Sequence, residues 1–253
     1  MDGFIFSLII GIFIGGVCGY LGTLMLSRKM ALTAGPLGHL TLPGIALSLI
    51  YGFDVSLGAF PFVILGIFLI WLFETRTKLP METLTAVVFA SGVAIAFLFL
   101  PVEQAETALI GDITRVDIYG TIITSILCFL IFLIIRKNYH KMVLINISED
   151  LAKASGINVR KNNLLYLFLI GILVSLGVRM VGGLLTAALF AIPAASSRNF
   201  SKNLFQYTNL SIFFGILSSL LGILIYKFTN LPAGPLIISV SSLIFLISVI
   251  FKR

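Results

Sequence analysis

One of the two histidines in this chain lies in a segment whose composition interrupts a helix. His39 belongs to the sequence AGPLGHLTLPG, residues 34–44, which holds two prolines and three glycines. Such residues break a helix and free backbone carbonyls, which a membrane interior tolerates only against protein or a watery cavity. An ionisable side chain at such a break is a candidate to line a path for a polar substrate. The alternative is a neutral histidine that only bonds a carbonyl.

A second pattern predicts a short helix in the middle of the chain. Ser148 can cap a helix whose first turn contains Glu149 and Asp150, and Gly156 can end it. The two carboxylates are favourable near the positive end of the helix dipole. At about two turns, this helix is too short to be stable alone in water. We therefore expect it to rest either on a protein partner or on the lipid headgroups.

A third segment is rich in small residues. Residues 181–198, VGGLLTAALFAIPAASSR, carry glycine, alanine or serine at nine positions, so neighbours can pack closely on nearly every side. Pro193 would bend or end the helix. A helix of this kind can lie beside a pore, at a subunit interface or in a protein core.

Membrane helices are the elements that must position these residues. The chain of 253 residues is 59% hydrophobic and 11% charged, whereas a soluble domain has about 25% charged residues. The net charge of +7 is explained by cytoplasmic loops, and we expect no nucleic acid partner. We predict an all-α polytopic membrane protein of about nine transmembrane helices, within limits of eight to ten, forming a single domain over residues 1–253. The candidate spans cover residues 4–26, 38–52, 55–73, 84–100, 118–135, 164–180, 181–197, 205–226 and 235–251.

The first candidate span contains a regular glycine pattern. Gly11, Gly15 and Gly19 recur every four residues, a spacing that lets another helix approach closely. We expect this stripe to pack against a helix of the same chain.

The basic residues give an independent test of the span prediction. With nine crossings and the N-terminus outside, 14 of the 17 lysines and arginines fall on the inner side, which agrees with the positive-inside rule. The same arrangement places the C-terminus and the polar stretch 136–163 in the cytoplasm. Only Arg115, Arg179 and Lys227 fall outside, together with several acidic residues.

In this order, the segments resemble the membrane-spanning permeases of ATP-driven importers for zinc, manganese or iron, the metal family of ABC importers. The resemblance covers nearly the whole chain. It rests on Arg28-Lys29-Met30 before the helix with His39, on Leu109 to Ile113, on Glu149 to Arg160, and on Val181 to Leu185 running to Ile192-Pro193-Ala194-Ala195.

The resemblance implies that this chain is a transport subunit with several partners. It implies a path for a divalent metal between two permease copies, most simply a homodimer, with membrane lipid around it and an extracellular or periplasmic metal-binding protein outside. The residues it implies along the path are His39, also the candidate metal ligand, Thr41, Pro43, Asp112 and Arg179. Those it implies for docking onto a cytoplasmic ABC ATPase, within the coupling segment 136–163, are Glu149, Asp150, Leu151, Ala154 and Gly156.

The ATPase must be a separate chain. No Gly-x-x-x-x-Gly-Lys-Ser/Thr phosphate loop occurs in the sequence, so we expect ATP and its magnesium on the partner and neither a cofactor nor an enzymatic activity here. Members of the family usually carry an aspartate four residues before the histidine, where this chain has Gly35. Either another carboxylate such as Asp112 or Asp54 completes the site, or the substrate is a different or a chelated metal.

Two other classes remain as alternatives. A secondary transporter or channel that acts alone would normally need carboxylates near the middle of the bilayer, and the predicted spans keep every Asp and Glu in a loop or at an end. A membrane enzyme would need clustered His, Asp or Glu, whereas His140 stands alone among basic residues. We therefore favour the ATP-driven permease, located in a prokaryotic plasma membrane.

Overall fold

The computed structural model describes residues 2–27, 34–77, 79, 81–99, 118–229 and 231–251, and all regular secondary structure in these ranges is helical. We number the helices in chain order. They are α1 (Asp2–Ser27), α2 (Ala34–His39), α3 (Leu42–Tyr51), α4 (Val55–Thr77), α5 (Met81–Phe99), α6 (Ile118–Ile147), α7 (Glu149–Ala154), α8 (Val159–Phe200), α9 (Leu204–Thr229) and α10 (Ala233–Ile250).

Six stretches of helix in the described residues are long and apolar enough to cross a membrane. They belong to α1, α4, α6, the first part of α8, α9 and α10. The expected all-α membrane fold is therefore confirmed. The count of nine crossings stays a prediction, because the other three candidates correspond to the broken pair α2 and α3, to α5, and to the second part of α8.

The polar stretch 136–163 contains more helix than its composition predicted. We expected one short helix in a polar connection, but α6 continues to Ile147 and α8 already begins at Val159. The reason is that Met142 and Ile145 are buried and keep an apolar face on α6 beyond the hydrophobic run.

Helix α8 is a hairpin with two limbs, residues 159–181 and residues 183–200. Gly182 between them has φ 76° and ψ 167°, a conformation that is open essentially only to glycine. A Cβ built on Gly177 would lie 3.7 Å from Thr186 and 4.0 Å from Leu189, although nine residues of straight helix span about 13 Å. The second limb therefore runs back along the first.

Helix α1 lies at the centre of the bundle and packs against α6, α8 and α9. The carbonyl oxygens of Gly15 and Gly215 would each clash with a Cβ atom on the other residue. The Ser211 hydroxyl on α9 donates to the Gly19 carbonyl at 2.6 Å. The glycine stripe of α1 thus packs within the chain, as predicted.

One end of the bundle gathers the ends of several helices. Asn146 of α6 bonds a carbonyl in the last turn of α1, and Asn199 of α8 donates to Ser248 of α10 at 2.9 Å. At the opposite end, the Lys227 ammonium lies 4.5 Å from the ring centroid of Phe4. The first end carries α7 and many of the basic residues, among them Lys153, Arg160, Lys161, Arg198 and Lys202.

Candidate substrate path and coupling helix

The predicted interruption around His39 is present as a break between two helices. Helix α2 ends at His39 and α3 begins at Leu42 with Pro43 in its first turn. In a continuous helix, the carbonyl of His39 would accept from the N–H of residue 43, and proline has none. The break therefore follows directly from the sequence.

Contacts with the α8 hairpin hold this break in place. A Cβ built on Gly183 would lie 2.8 Å from the Gly38 carbonyl oxygen, so the two backbones touch. Thr41 is fully buried, and its hydroxyl donates to the carbonyl of Gly38. Thr186 is also buried, and its hydroxyl donates to the carbonyl of Gly183 at 2.9 Å. Two interruptions of helical backbone, each with a threonine hydroxyl, therefore face each other.

The meeting point lies near the middle of the bundle. Ile14 is at the midpoint of α1, which is 26 residues long. A Cβ on Gly177 would lie 3.9 Å from Ile14 and 3.7 Å from Thr186, which places Thr186 at the level of that midpoint. Gly38 contacts Thr186 directly. The α2–α3 break is therefore near the middle of the bundle. Transporters commonly bind polar substrates near the middle of the bilayer.

His39 is half-buried beside this contact. Its ring lies 5.2 Å from the ring of Phe89 on α5, centroid to centroid. The next residue, Leu40, is buried between α4 and α5, where its side chain occupies the space that a Cβ on Gly66 or Gly92 would need. Leu40 thus fixes the break next to His39. Sequence reasoning missed this socket, because two glycines 26 positions apart give no local signal.

The other residues expected along the path are not gathered at His39. Asp112 lies outside the described residues. Arg179 belongs to the first limb of α8, and its side chain also lies outside the description. The carboxylate of Asp54 accepts from the backbone N–H groups of Ser56 at 2.8 Å and Leu57 at 3.2 Å, so it caps α4.

Asp54 is also too far along the chain to join His39. Helix α3 has 10 residues, a length of about 15 Å, and separates the two positions. Asp54 instead borders a cavity of about 330 Å³ between α4, α6 and the first limb of α8. Among the residues that the structure describes, no three His, Cys, Asp or Glu side chains group to hold a metal ion.

The short helix α7 has the local structure that its sequence predicts. The hydroxyl of Ser148 accepts from the backbone N–H of Leu151 at 3.3 Å, which is the expected N-cap. Gly156 follows the helix with φ 76°, the left-handed conformation that ends a helix.

Helix α7 also has a defined support. Ala152 is buried with Ile145 of α6 and Val159 of α8 in a small apolar cluster that is separate from the main core. The residues expected to dock onto a partner are exposed: Glu149, Asp150, Leu151, Ala154 and Gly156. The sequence suggested a protein partner or lipid headgroups as the support of α7. In the structure, α7 rests on its own chain instead, and its other face is exposed.

Comparison with known proteins places this geometry in context. The model of one family, described as the ABC 3 transport family, matches residues 1–252. The high-affinity zinc uptake system membrane protein ZnuB of Buchnera aphidicola subsp. Baizongia pistaciae is 29% identical over 258 aligned residues, covering 97% of this chain and 96% of that protein. The manganese import system permease protein ScaB of Streptococcus gordonii is 30% identical over 246 residues, covering 96% and 88%.

A solved structure has the same fold. A chain of PsaBC from Streptococcus pneumoniae, in complex with Fab, superposes with a TM-score of 0.81 at 29% identity. The superposition covers 96% of this chain and 89% of that one. The similarity therefore extends over nearly the whole chain.

Proposed function

Because the chain belongs to the ABC 3 transport family, we propose that it is the membrane permease of an ATP-driven importer for a divalent transition metal, zinc or manganese. The observation that carries the proposal is full-length similarity to relatives whose names state import of these two metals. In this proposal the permease moves the metal, and a separate chain hydrolyses ATP.

The metal is proposed to pass the contact between the α2–α3 break and the α8 hairpin. This contact offers the imidazole of His39 together with threonine hydroxyls and backbone carbonyls close to the middle of the bundle. Imidazole suits zinc, and oxygen ligands suit manganese. A weak set of this kind would let the ion leave as readily as it enters.

The free face of α7 is the proposed docking site for the cytoplasmic ATPase. Two features of α7 support this role. Its own chain holds it on one side, and its other side is exposed, with Leu151 as an apolar contact and two carboxylates beside it. The end of the bundle with α7 and the basic residues is then the cytoplasmic end. This orientation puts the N-terminus outside and the C-terminus inside.

Three further parts complete the proposed transporter. An extracellular or periplasmic binding protein delivers the metal to the outer end. A second permease copy forms a homodimer, and the path runs between the two copies. The exposed apolar residues of α4, α6 and α10 face lipid or the second copy, among them Leu65, Phe68, Phe129, Leu130, Leu243 and Leu246.

Metal uptake by the reconstituted complex tests this function. The permease and its ATPase, placed in proteoliposomes with the metal-loaded binding protein, should accumulate zinc or manganese only when ATP is supplied. His39→Ala should lower uptake at least tenfold, since the loss of about 1.4 kcal/mol of ligand contact has that effect.

A matched histidine provides the control. His140 is exposed near the end of α6, so His140→Ala should leave uptake unchanged. Metal flux through the permease alone, with no ATPase present, would contradict the proposed function. Parent-level uptake by His39→Ala would remove His39 from the path and leave the rest of the proposal in place.

A further inference from the structure

The side chain of Asn146 joins two helices that are far apart in sequence. Its amide nitrogen Nδ2 donates to the backbone carbonyl of Leu24 at 3.3 Å. Leu24 is in the last turn of α1, which ends at Ser27. Asn146 therefore caps the end of α1 from another helix.

Asn146 belongs to the unit that carries α7. It is the residue before Ile147, where α6 ends, and the N-cap of α7 follows at once. Its neighbour Ile145 is in the apolar cluster that supports α7. A displacement of α7 against the membrane must therefore move Asn146 as well.

A second contact holds the same two helices together. The rings of Tyr139 on α6 and Tyr20 on α1 stack with centroids 5.4 Å apart and an interplanar angle of 6°. The ring of Phe132, also on α6, is tilted by 46° to that of Tyr20, with centroids 5.4 Å apart. Asn146 and this stack fix the cytoplasmic part of α6 to the last two turns of α1.

The end of α1 leads to both sides of the proposed path. The chain leaves α1 at Ser27 and enters α2 at residue 34, which carries His39 at its end. Gly22 in the same part of α1 touches the carbonyl of Phe190 in the second limb of α8, and a Cβ on it would lie 3.4 Å from Ala194. The end of α1 thus contacts one wall of the break and is continuous with the other.

We propose that Asn146 is a positioning residue that transmits the movement of α7 through the end of α1 to the α2–α3 break. The inference rests on the proposed function, because it takes α7 as the docking site of the ATPase. Without the Nδ2 donor, the aromatic stack still joins this part of α6 to α1, but α7 can move with a smaller displacement of α1. ATP is then hydrolysed without opening the path. The number of metal ions imported per ATP falls about fivefold, the factor that one net hydrogen bond contributes to an equilibrium.

The experiment measures ATP hydrolysed per metal ion imported in the reconstituted complex with zinc or manganese. Asn146→Ala should raise this ratio about fivefold, and Asn146→Asp should do the same because it keeps the size but removes the donor. Asn146→Gln keeps the donor and should restore part of the coupling. Asn138→Ala is the matched control, because the amide of Asn138 bonds the Ile134 carbonyl of its own helix at 3.0 Å.

Each result decides the matter. If both Asn146→Ala and Asn146→Asp hydrolyse as much ATP per imported ion as the parent, the inference is overturned. ATP-dependent uptake by the parent would still uphold the proposed function. Loss of complex assembly in both variants would make Asn146 a folding residue and would also overturn it. A parent complex that imports no metal with ATP would contradict the proposed function itself.

Discussion

Helices α2 and α7 have six residues each, and they are held in different ways. Ser148 caps α7, and Gly156 ends it in open space, where a Cβ would meet no atom within 4 Å. Gly38 in α2 lies against the backbone of Gly183, more than 140 positions away. Local hydrogen bonds thus define α7, the proposed docking helix, whereas long-range contact defines the α2–α3 break, the proposed path.

This difference matches the two tasks that we propose. A docking helix must present one face to a partner, so a local cap and a small apolar support suffice. A path must keep two breaks in the backbone opposite each other inside a membrane, where each unpaired polar group is costly. Only neighbouring elements can provide that precision.

The largest expected effect tests the backbone contact at the path. Gly38→Val would place its side chain against the carbonyl of Gly183 and should lower the free energy of unfolding by about 3 kcal/mol. Thermal unfolding of the purified permease would measure the loss. Gly3→Val is the control, because a Cβ on Gly3 meets nothing within 4 Å. Equal stability of the two variants would contradict the close contact.

A smaller difference in stability is expected between alanine substitutions at Gly156 and Gly182, which both have φ 76°. Gly182→Ala places a Cβ in a conformation that is strained for any other residue and should cost about 2 to 3 kcal/mol and disturb the hairpin. Gly156→Ala is strained too, but in the common left-handed region, and should cost about 1 kcal/mol. Unfolding temperatures in the same detergent compare them. A larger loss for Gly156→Ala would show that the α8 hairpin is not fixed by Gly182.

The smallest expected effect tests the local cap. Ser148→Ala should destabilise α7 by about 1 kcal/mol because the N–H of Leu151 loses its acceptor, whereas Ser148→Asp should retain the cap. Hydrogen exchange would then rise in α7 and stay unchanged in the path. Faster exchange around His39 in Ser148→Ala would contradict the local role of this cap.

Much of the docking region was predictable from the sequence. Ser148, the two carboxylates and Gly156 act within a few residues of each other, so their pattern predicted the helix and its ends. The extent of α6 was not predicted, because a polar stretch was taken as a connection while Met142 and Ile145 kept an apolar face. The contact of Val159 with α7 could be seen only in the folded structure.

The path was predictable only in part. Pro43 predicted the break and drew attention to His39. The socket of Leu40, the cap that Asn146 provides and the separation of Asp54 from His39 had no sequence signal, because each depends on where distant helices lie.

By itself, the sequence determined that the chain is a bundle of membrane helices and that the helix before Pro43 is broken. These properties depend on the solvent and on neighbouring residues. The tertiary structure alone decided which breaks meet, because the contacts of Gly38 with Gly183 and of Asn146 with Leu24 join segments that no local interaction relates.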